Sequence, residues 1–250
     1  MRRGLAQLSR GAWPTPVHLS IWNELGIVYK YLGNFKAASK FYRLALKHSN
    51  ICVIGRERDD FLAALYHNLG GLEHARRHFR RGELYARKSL LLRRRTSAPG
   101  GVEVAADKVA LAAILDGSRK FSESQKLYRE ALRVYRRVYG TSHREIALIL
   151  NNLAAMYQQS GRPIQAAKYY QAALGMKRRE LGAAHPDVGI TMSNLGVFYE
   201  SEGRQRDAAL YFNQALKLFE KSLGKSHPNT RAVKNNLKKM KLNSGNTAFA

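Results

Sequence analysis

Residues 151–174 read NNLAAMYQQSGRPIQAAKYYQAAL. Leu153, Ala154 and Tyr157 fall on one helical face, and after Gly161 and Pro163 a second helical pattern runs through Ala166, Tyr169, Tyr170, Ala173 and Leu174. Proline near the start of a helix is tolerated because its missing N–H would go unpaired there in any case. Small residues on both faces let the two helices approach closely, and the tyrosines fill the space around them. Such a helix–turn–helix unit cannot bury its apolar face alone.

The neighbours it needs are present in the sequence. His143, His185 and His227 are spaced 42 residues apart, as are Asn152, Asn194 and Asn236, then Leu153, Leu195 and Leu237, and then Gly140, Gly182 and Gly224. The Ala154 position recurs as Gly26, Gly70, Ala112 and Gly196, and the Ala173 position as Ala45, Ser89, Ala131 and Ala215. The first interval is 44, so two residues are added near Asn50–Arg58. A period in this range signals a solenoid in which stacked units share a continuous core. It predicts five helix pairs and a sixth, lone helix, with function on a long ridged surface rather than in one catalytic pocket.

These residues resemble the tetratricopeptide repeat in its 42-residue form, the kind found in kinesin light chains and in many bacterial proteins. The resemblance covers roughly residues 16–242 and is best in repeats four and five. Repeats two and three depart from the pattern: Arg77 and Arg119 occupy the turn-glycine position, and Gly101-Val102 replaces His-Pro. The resemblance implies an all-α, right-handed superhelical solenoid of antiparallel helix pairs with a C-terminal capping helix. Its first helices would line a concave groove and its second helices would form the convex back.

Three segments are expected: a basic N-terminal stretch over 1–14, the solenoid over 15–242, and a polar, flexible tail over 243–250. The first reads as the remnant of a preceding repeat. Its three arginines and lack of acids also suit a mitochondrial transit peptide, against a default cytoplasmic location. The chain is 45% hydrophobic with no apolar run near 18 residues, so no spanning segment and a soluble protein are expected. Its single cysteine, Cys52, cannot form an internal disulfide and has no activating partner pattern.

At about 100° per residue, Leu148, Asn152, Ala155 and Gln159 lie away from the packed side of the first helix. Equivalent positions hold Ile190, Asn194, Val197 and Ser201, and later Ala232, Asn236 and Lys239. Earlier repeats place Ser20, Glu24, Ile27 and Tyr31, then Ala64, Asn68, Gly71 and Ala75, then Ala106, Ala110, Ala113 and Gly117. The lining is mostly small, so an open groove is predicted. It carries an asparagine ladder, Asn68, Asn152, Asn194 and Asn236, interrupted by Ala110.

An amide offers both donors and an acceptor, as an extended peptide backbone requires. Similar tetratricopeptide proteins clamp a bound peptide with asparagines at this position. Asn23, Asn151, Asn235, His67 and Gln158 flank the line, and Ile27, Tyr31, Leu148, Ile190 and Val197 would add apolar contacts. The competing reading has these amides bonding to the neighbouring repeat's backbone. Helix propensity does not favour Asn, so the position is polar for a reason in either case.

Net charge is +25, from 43 Lys and Arg against 18 Asp and Glu. The groove positions hold almost none of it, Lys239 being the clear exception. The second helices and their approaches carry Arg76, Arg77, Arg80 and Arg81, then Arg93, Arg94 and Arg95, then Arg133, Arg136 and Arg137, and then Lys177, Arg178 and Arg179. A field of this size attracts polyanions such as RNA, DNA or anionic membrane. The alternative is a solvated basic surface. No signature of a sequence-specific nucleic-acid reader is present.

Two motifs tempt and fail. Gly224-Lys225-Ser226 ends like a phosphate-binding loop, but Phe219 stands where the leading glycine is needed. His143, His185 and His227 are each a repeat apart, and helices stack about 8–10 Å from one another, too far to share a zinc ion. The histidines instead suit the start of the next first helix. No GxSxG, HExxH or paired carboxylates occur. The expectation is a non-catalytic scaffold or adaptor without metal, cofactor or small-molecule substrate, binding an extended or short helical peptide. The alternatives are a polyanion-binding adaptor acting through the convex face and a peptide-sensing regulator.

Overall fold

The computed structural model describes residues 14–98 and 100–246, with side chains to residue 240. The helices are α1 (Pro16–Tyr31), α2 (Phe35–Cys52), α3 (Gly55–Ala75), α4 (Phe79–Thr96), α5 (Val102–Gly117), α6 (Phe121–Tyr139), α7 (Arg144–Gln159), α8 (Pro163–Leu181), α9 (Pro186–Ser201), α10 (Gln205–Ser222) and α11 (Pro228–Asn246). No strand occurs among the described residues. Each odd-numbered helix pairs with the one that follows, leaving α11 alone, so the predicted five pairs and lone helix are present. The architecture is an all-α solenoid of antiparallel helix pairs.

The chain divides into two compact units, Met1–Ala131 and Leu132–Ala250, with the boundary inside α6. The 42-residue period predicts one array over 15–242. The last helix also runs to Asn246, past the predicted start of the tail at 243. The basic stretch over 1–14, read as the remnant of a repeat, lies outside the described residues except for Pro14, whose carbonyl accepts a hydrogen bond from Cys52 Sγ at 2.9 Å.

Pairs close because a small residue on the first helix meets a buried side chain of the second. In the first unit a Cβ on Gly26 would stand 2.3 Å from Tyr42 Cε1, so the ring lies directly on the α1 backbone. Tyr42 anchors a core with Ala38, Ala45, Leu65, Leu69 and Leu72. In the second unit Phe212 lies on Gly196 and Tyr170 packs at the Ala154 level, within a core including Ile146, Ile149, Leu153, Leu195 and Phe219. Each such large side chain contributes roughly 1.5–3 kcal/mol through burial.

The first unit also buries charge at positions that are apolar elsewhere. Asp107 is 2% exposed and stands where Leu65 and Ile149 sit in other repeats. Its carboxylate is 2.6 Å from His67 Nδ1 on α3 and accepts from Arg93 Nε on α4 at 3.4 Å, tying α5 to both. Arg76 likewise donates to Glu73 Oε1 at 3.1 Å and to the Phe35 carbonyl at 2.6 Å, linking the second repeat to α2. Such buried charges are tolerated because they are paired and hydrogen-bonded.

The histidines do what the sequence indicated. His143, His185 and His227 accept at Nδ1 from the backbone N–H of Glu145, Asp187 and Asn229 at 3.3, 3.1 and 3.2 Å, capping α7, α9 and α11. Within the pairs, the turn residue is left-handed: Gly33, Gly161 and Gly203 have φ of 73°, 72° and 73°. Arg77 and Arg119 adopt the same conformation at 63° and 59°, because the turn geometry is dictated by the helices it joins. A non-glycine residue there pays about 1–2 kcal/mol, partly offset by glycine's larger unfolded-state entropy. Arg77→Gly and Arg119→Gly should therefore each stabilise the protein by about 0.5–1 kcal/mol, read as a raised midpoint in urea denaturation. A lowered midpoint in both would refute this account of the turns.

Candidate functional site

The side opposite the packed face is exposed in parts of α1, α7 and α9. In α5, by contrast, the predicted groove residues Ala106, Ala110, Ala113 and Gly117 are half-buried, and the Phe79 ring covers Gly117, with its Cε1 2.1 Å from where a Cβ would stand. In the second unit Leu148, Ile190 and Val197 are 41%, 37% and 42% exposed, although they lie on well-packed helices. They alternate with Asn152 and Asn194, both half-buried, and α11 continues the pattern with Asn236. In the first unit Ile27, Tyr31, Asn68 and Gly71 occupy the same positions, and Tyr31 is 81% exposed.

The asparagines are partly engaged with each other. Asn68 Nδ2 donates to Asn23 Oδ1 at 2.9 Å, and Asn194 Nδ2 donates to Asn151 Oδ1 at 3.0 Å. The same bond thus appears in both units, linking consecutive first helices. The partner is a side-chain amide rather than the backbone carbonyl weighed from sequence. Asn68 and Asn194 each keep a carbonyl oxygen and one N–H. Among the described residues the half-buried Asn152 and Asn236 side chains make no hydrogen bond. Asn235 is exposed.

Two flanking candidates are structural instead. Gln158 accepts from Tyr170 Oη at 3.1 Å and donates to Ser201 Oγ at 3.1 Å, so both ends of its amide are occupied. His67 is held by buried Asp107. The Gln158 position is a polar tie between the helices of a pair, and in the third repeat Asp116 plays the part, accepting from Ser124 Oγ and from Tyr128 Oη at 2.9 Å.

Lys30 holds this position in α1, while Lys239 in the groove row of α11 is exposed. The Lys30 ammonium lies 3.5 Å from where a Gly71 Cβ would stand and 5.1 Å from the Tyr31 ring centroid. Burial pushes its pKa below the usual lysine range.

The arginine set also sorts itself. Arg77, Arg80, Arg81, Arg94, Arg136, Arg137, Arg178 and Arg179 are exposed, as expected for a basic outer surface. Arg95 is exposed but pairs with Asp59 at 3.3 Å. Arg76, Arg93 and Lys177 leave the polyanion set. Arg76 and Arg93 are the ties described above. Lys177 is 5% exposed and donates to the Asp187 carbonyl at 3.3 Å, with its pKa pushed down by burial against the opposing pull of Asp187. The repeat register carried this signal: its equivalents Ser49, Tyr135 and Phe219 are buried too.

Among the described residues no group of three or more His, Cys, Asp or Glu could hold a metal ion, and no helix is long and apolar enough to cross a membrane.

Helix pairs in a 42-residue register define a repeat protein of the solenoid class. Sequence profiles of the tetratricopeptide repeat match residues 19–49, 108–179 and 145–221, together more than half of the sequence, and the chain belongs to that family. Neither profile describes an enzyme. No curated protein matches the sequence.

Solved structures agree on the fold. BtubC (BKLC) from P. vanneervenii is 24% identical, with 84% of this chain and 81% of that one covered and a TM-score of 0.63. A kinesin light chain-type protein of Podosopora anserina with nearly identical TPR-like repeats is 16% identical, with 82% and 96% covered and a TM-score of 0.60. The Rap conjugation gene regulator of plasmid pLS20, in complex with the Phr* peptide, is 16% identical, with 81% and 53% covered and a TM-score of 0.67.

Asp116 offers a test of the interhelical tie. Burial pushes its carboxyl up from 3.8 to about 6, against the two hydroxyl bonds. The folded chain then keeps a proton that the unfolded chain has already released. The contribution of this group is therefore greatest below pH 3.8 and falls as pH rises through about 6. The stability of wild type relative to Asp116→Asn should drop by roughly 2–3 kcal/mol between pH 4 and 7 in parallel urea titrations. A pH-independent difference would show that the carboxyl is not so perturbed.

Proposed function

We propose that this protein is a non-catalytic interaction adaptor that binds a peptide segment of a partner on the open face of its first helices. One observation carries the reading: exposed apolar side chains, Leu148, Ile190 and Val197, share that face with the unengaged amide of Asn152 and the half-engaged amide of Asn194. The apolar groups supply area, and the amides supply the donor and acceptor pairs a peptide backbone needs. The Rap conjugation gene regulator of plasmid pLS20, which has a similar fold, is in complex with the Phr* peptide, and this supports the reading.

A second reading has its own observation. Arg77, Arg80 and Arg81 line one cavity of about 480 Å³ with His78, Phe79 and Ser118, and these arginines make no ion pair with a described residue. The cavity suits a phosphate-bearing polyanion held without sequence selectivity. Binding of that kind weakens steeply with added salt.

The two readings separate in a pull-down from native lysate, with and without nuclease, comparing wild type with the Asn152→Ala, Asn194→Ala, Asn236→Ala triple variant. Alanine is the better helix former, so circular dichroism should be unchanged. Loss of amide bonds worth about 1 kcal/mol each should weaken nuclease-resistant partners on the order of a hundredfold. Partners that vanish with nuclease and ignore the variant would overturn the adaptor reading.

A further inference from the structure

A recess lies on the other side of the second unit. Arg178 and the loop residues Ala183 and Ala184, Met192 of α9, and Gln214, Lys217, Leu218, Lys221 and Ser222 of α10 enclose a trough of about 690 Å³. Met192 is 200° around α9 from Ile190 and from Asn194, which puts the trough away from the asparagine face. Its floor is apolar and recessed, Met192 being 6% exposed, while its rim is cationic. Arg178, Lys217 and Lys221 are all exposed and make no ion pair with a described residue, and no carboxylate lines the trough.

The preceding repeat shows how unusual this is. One period earlier the corresponding rim residues are Ser142 and Glu180, and Ser142 Oγ donates to Glu180 Oε1 at 2.5 Å, bridging the gap and adding a negative charge. Here Ala184 and Ser222 stand at those positions. Neither a bridge nor a carboxylate remains, so the rim keeps its positive charge without compensation from the trough itself.

We infer that this trough binds an acidic protein segment in which one or two bulky apolar side chains are flanked by Asp or Glu. The apolar side chains enter between α10 and the loop before α9, and the carboxylates meet Arg178, Lys217 and Lys221. The recessed floor favours an inserted side chain over a bilayer, which meets protruding apolar groups, and no aromatic ring lines the trough to stack a base. The volume lies within the range of binding clefts, about 300–1,000 Å³. This inference does not depend on the peptide-binding face described above.

The test is fluorescence anisotropy of a fluorescein-labelled synthetic peptide, DDLFEE, with the full chain. The peptide should bind, and should bind at least about tenfold more weakly to Ala184→Ser/Ser222→Glu, which restores the pair found one repeat earlier. Lys217→Glu/Lys221→Glu should weaken it similarly, and Asn152→Ala/Asn194→Ala should not. A charge-only peptide, DDGSEE, should bind at least about tenfold more weakly than DDLFEE. All substituted rim positions are exposed, so unchanged circular dichroism is expected in each variant. Any of four results overturns the inference: no binding of DDLFEE, equal binding of the two peptides, wild-type affinity in Ala184→Ser/Ser222→Glu, or binding only to phosphatidylserine vesicles. Loss of binding in the asparagine variant would assign the peptide to the other face and overturn it equally.

Discussion

At the Ala154 position the first helix of every pair carries only Gly or Ala, and Tyr42, Ala86, Tyr128, Tyr170 or Phe212 of the second helix is buried at that level. Where the pair is Gly26 with Tyr42 or Gly196 with Phe212, the ring occupies the space a Cβ would take. This close approach commits one side of each first helix to its own partner. The opposite side is left over, and on it Leu148, Ile190 and Val197 stay exposed. The separation of a packed face from an open face follows from one steric constraint repeated along the chain.

The polar residues obey the same division. The Gln158 position lies next to the packed face, and the ring of the second helix brings a hydroxyl to it: Tyr170 to Gln158, Tyr128 to Asp116. In the first repeat Lys30 stands there, Tyr42 Oη is buried with no hydrogen-bond partner among the described residues, and the Lys30 ammonium lies over Gly71. About two turns away, the asparagines serve two ends. Asn23 with Asn68 and Asn151 with Asn194 link consecutive first helices, while Asn152 and Asn236 keep their amides unengaged. A ladder read from sequence as uniform is therefore mixed in purpose.

Most of the fold was legible because spacing alone specifies it. The period fixed the helix pairs, the capping histidines and the turn residue, and the structure adds that Arg77 and Arg119 take the left-handed conformation of the glycines they replace. The charge run Lys177–Arg179 misled because composition says nothing of direction, and only register shows that Lys177 points inward with Tyr135 and Phe219 while Arg178 and Arg179 point out. The engagement of Gln158 and His67 was hidden for another reason. It depends on which side chain a neighbouring helix brings within 3 Å or so, a three-dimensional coincidence that no single position encodes. The open trough beside Arg178 became visible only when the Ser142–Glu180 bridge gave a reference for what Ala184 and Ser222 lack.

The central claim is that the asparagine-bearing face of the first helices is where a partner is read. Its most direct test is a nuclear magnetic resonance titration of the full chain with a peptide selected from a random-sequence display library, following the asparagine side-chain amide signals. The account predicts that the Asn152 and Asn194 amides shift on peptide addition, with backbone signals around Leu148, Ile190 and Val197 moving alongside them. Unmoved asparagine amides, with shifts confined to α8 and α10, would contradict it.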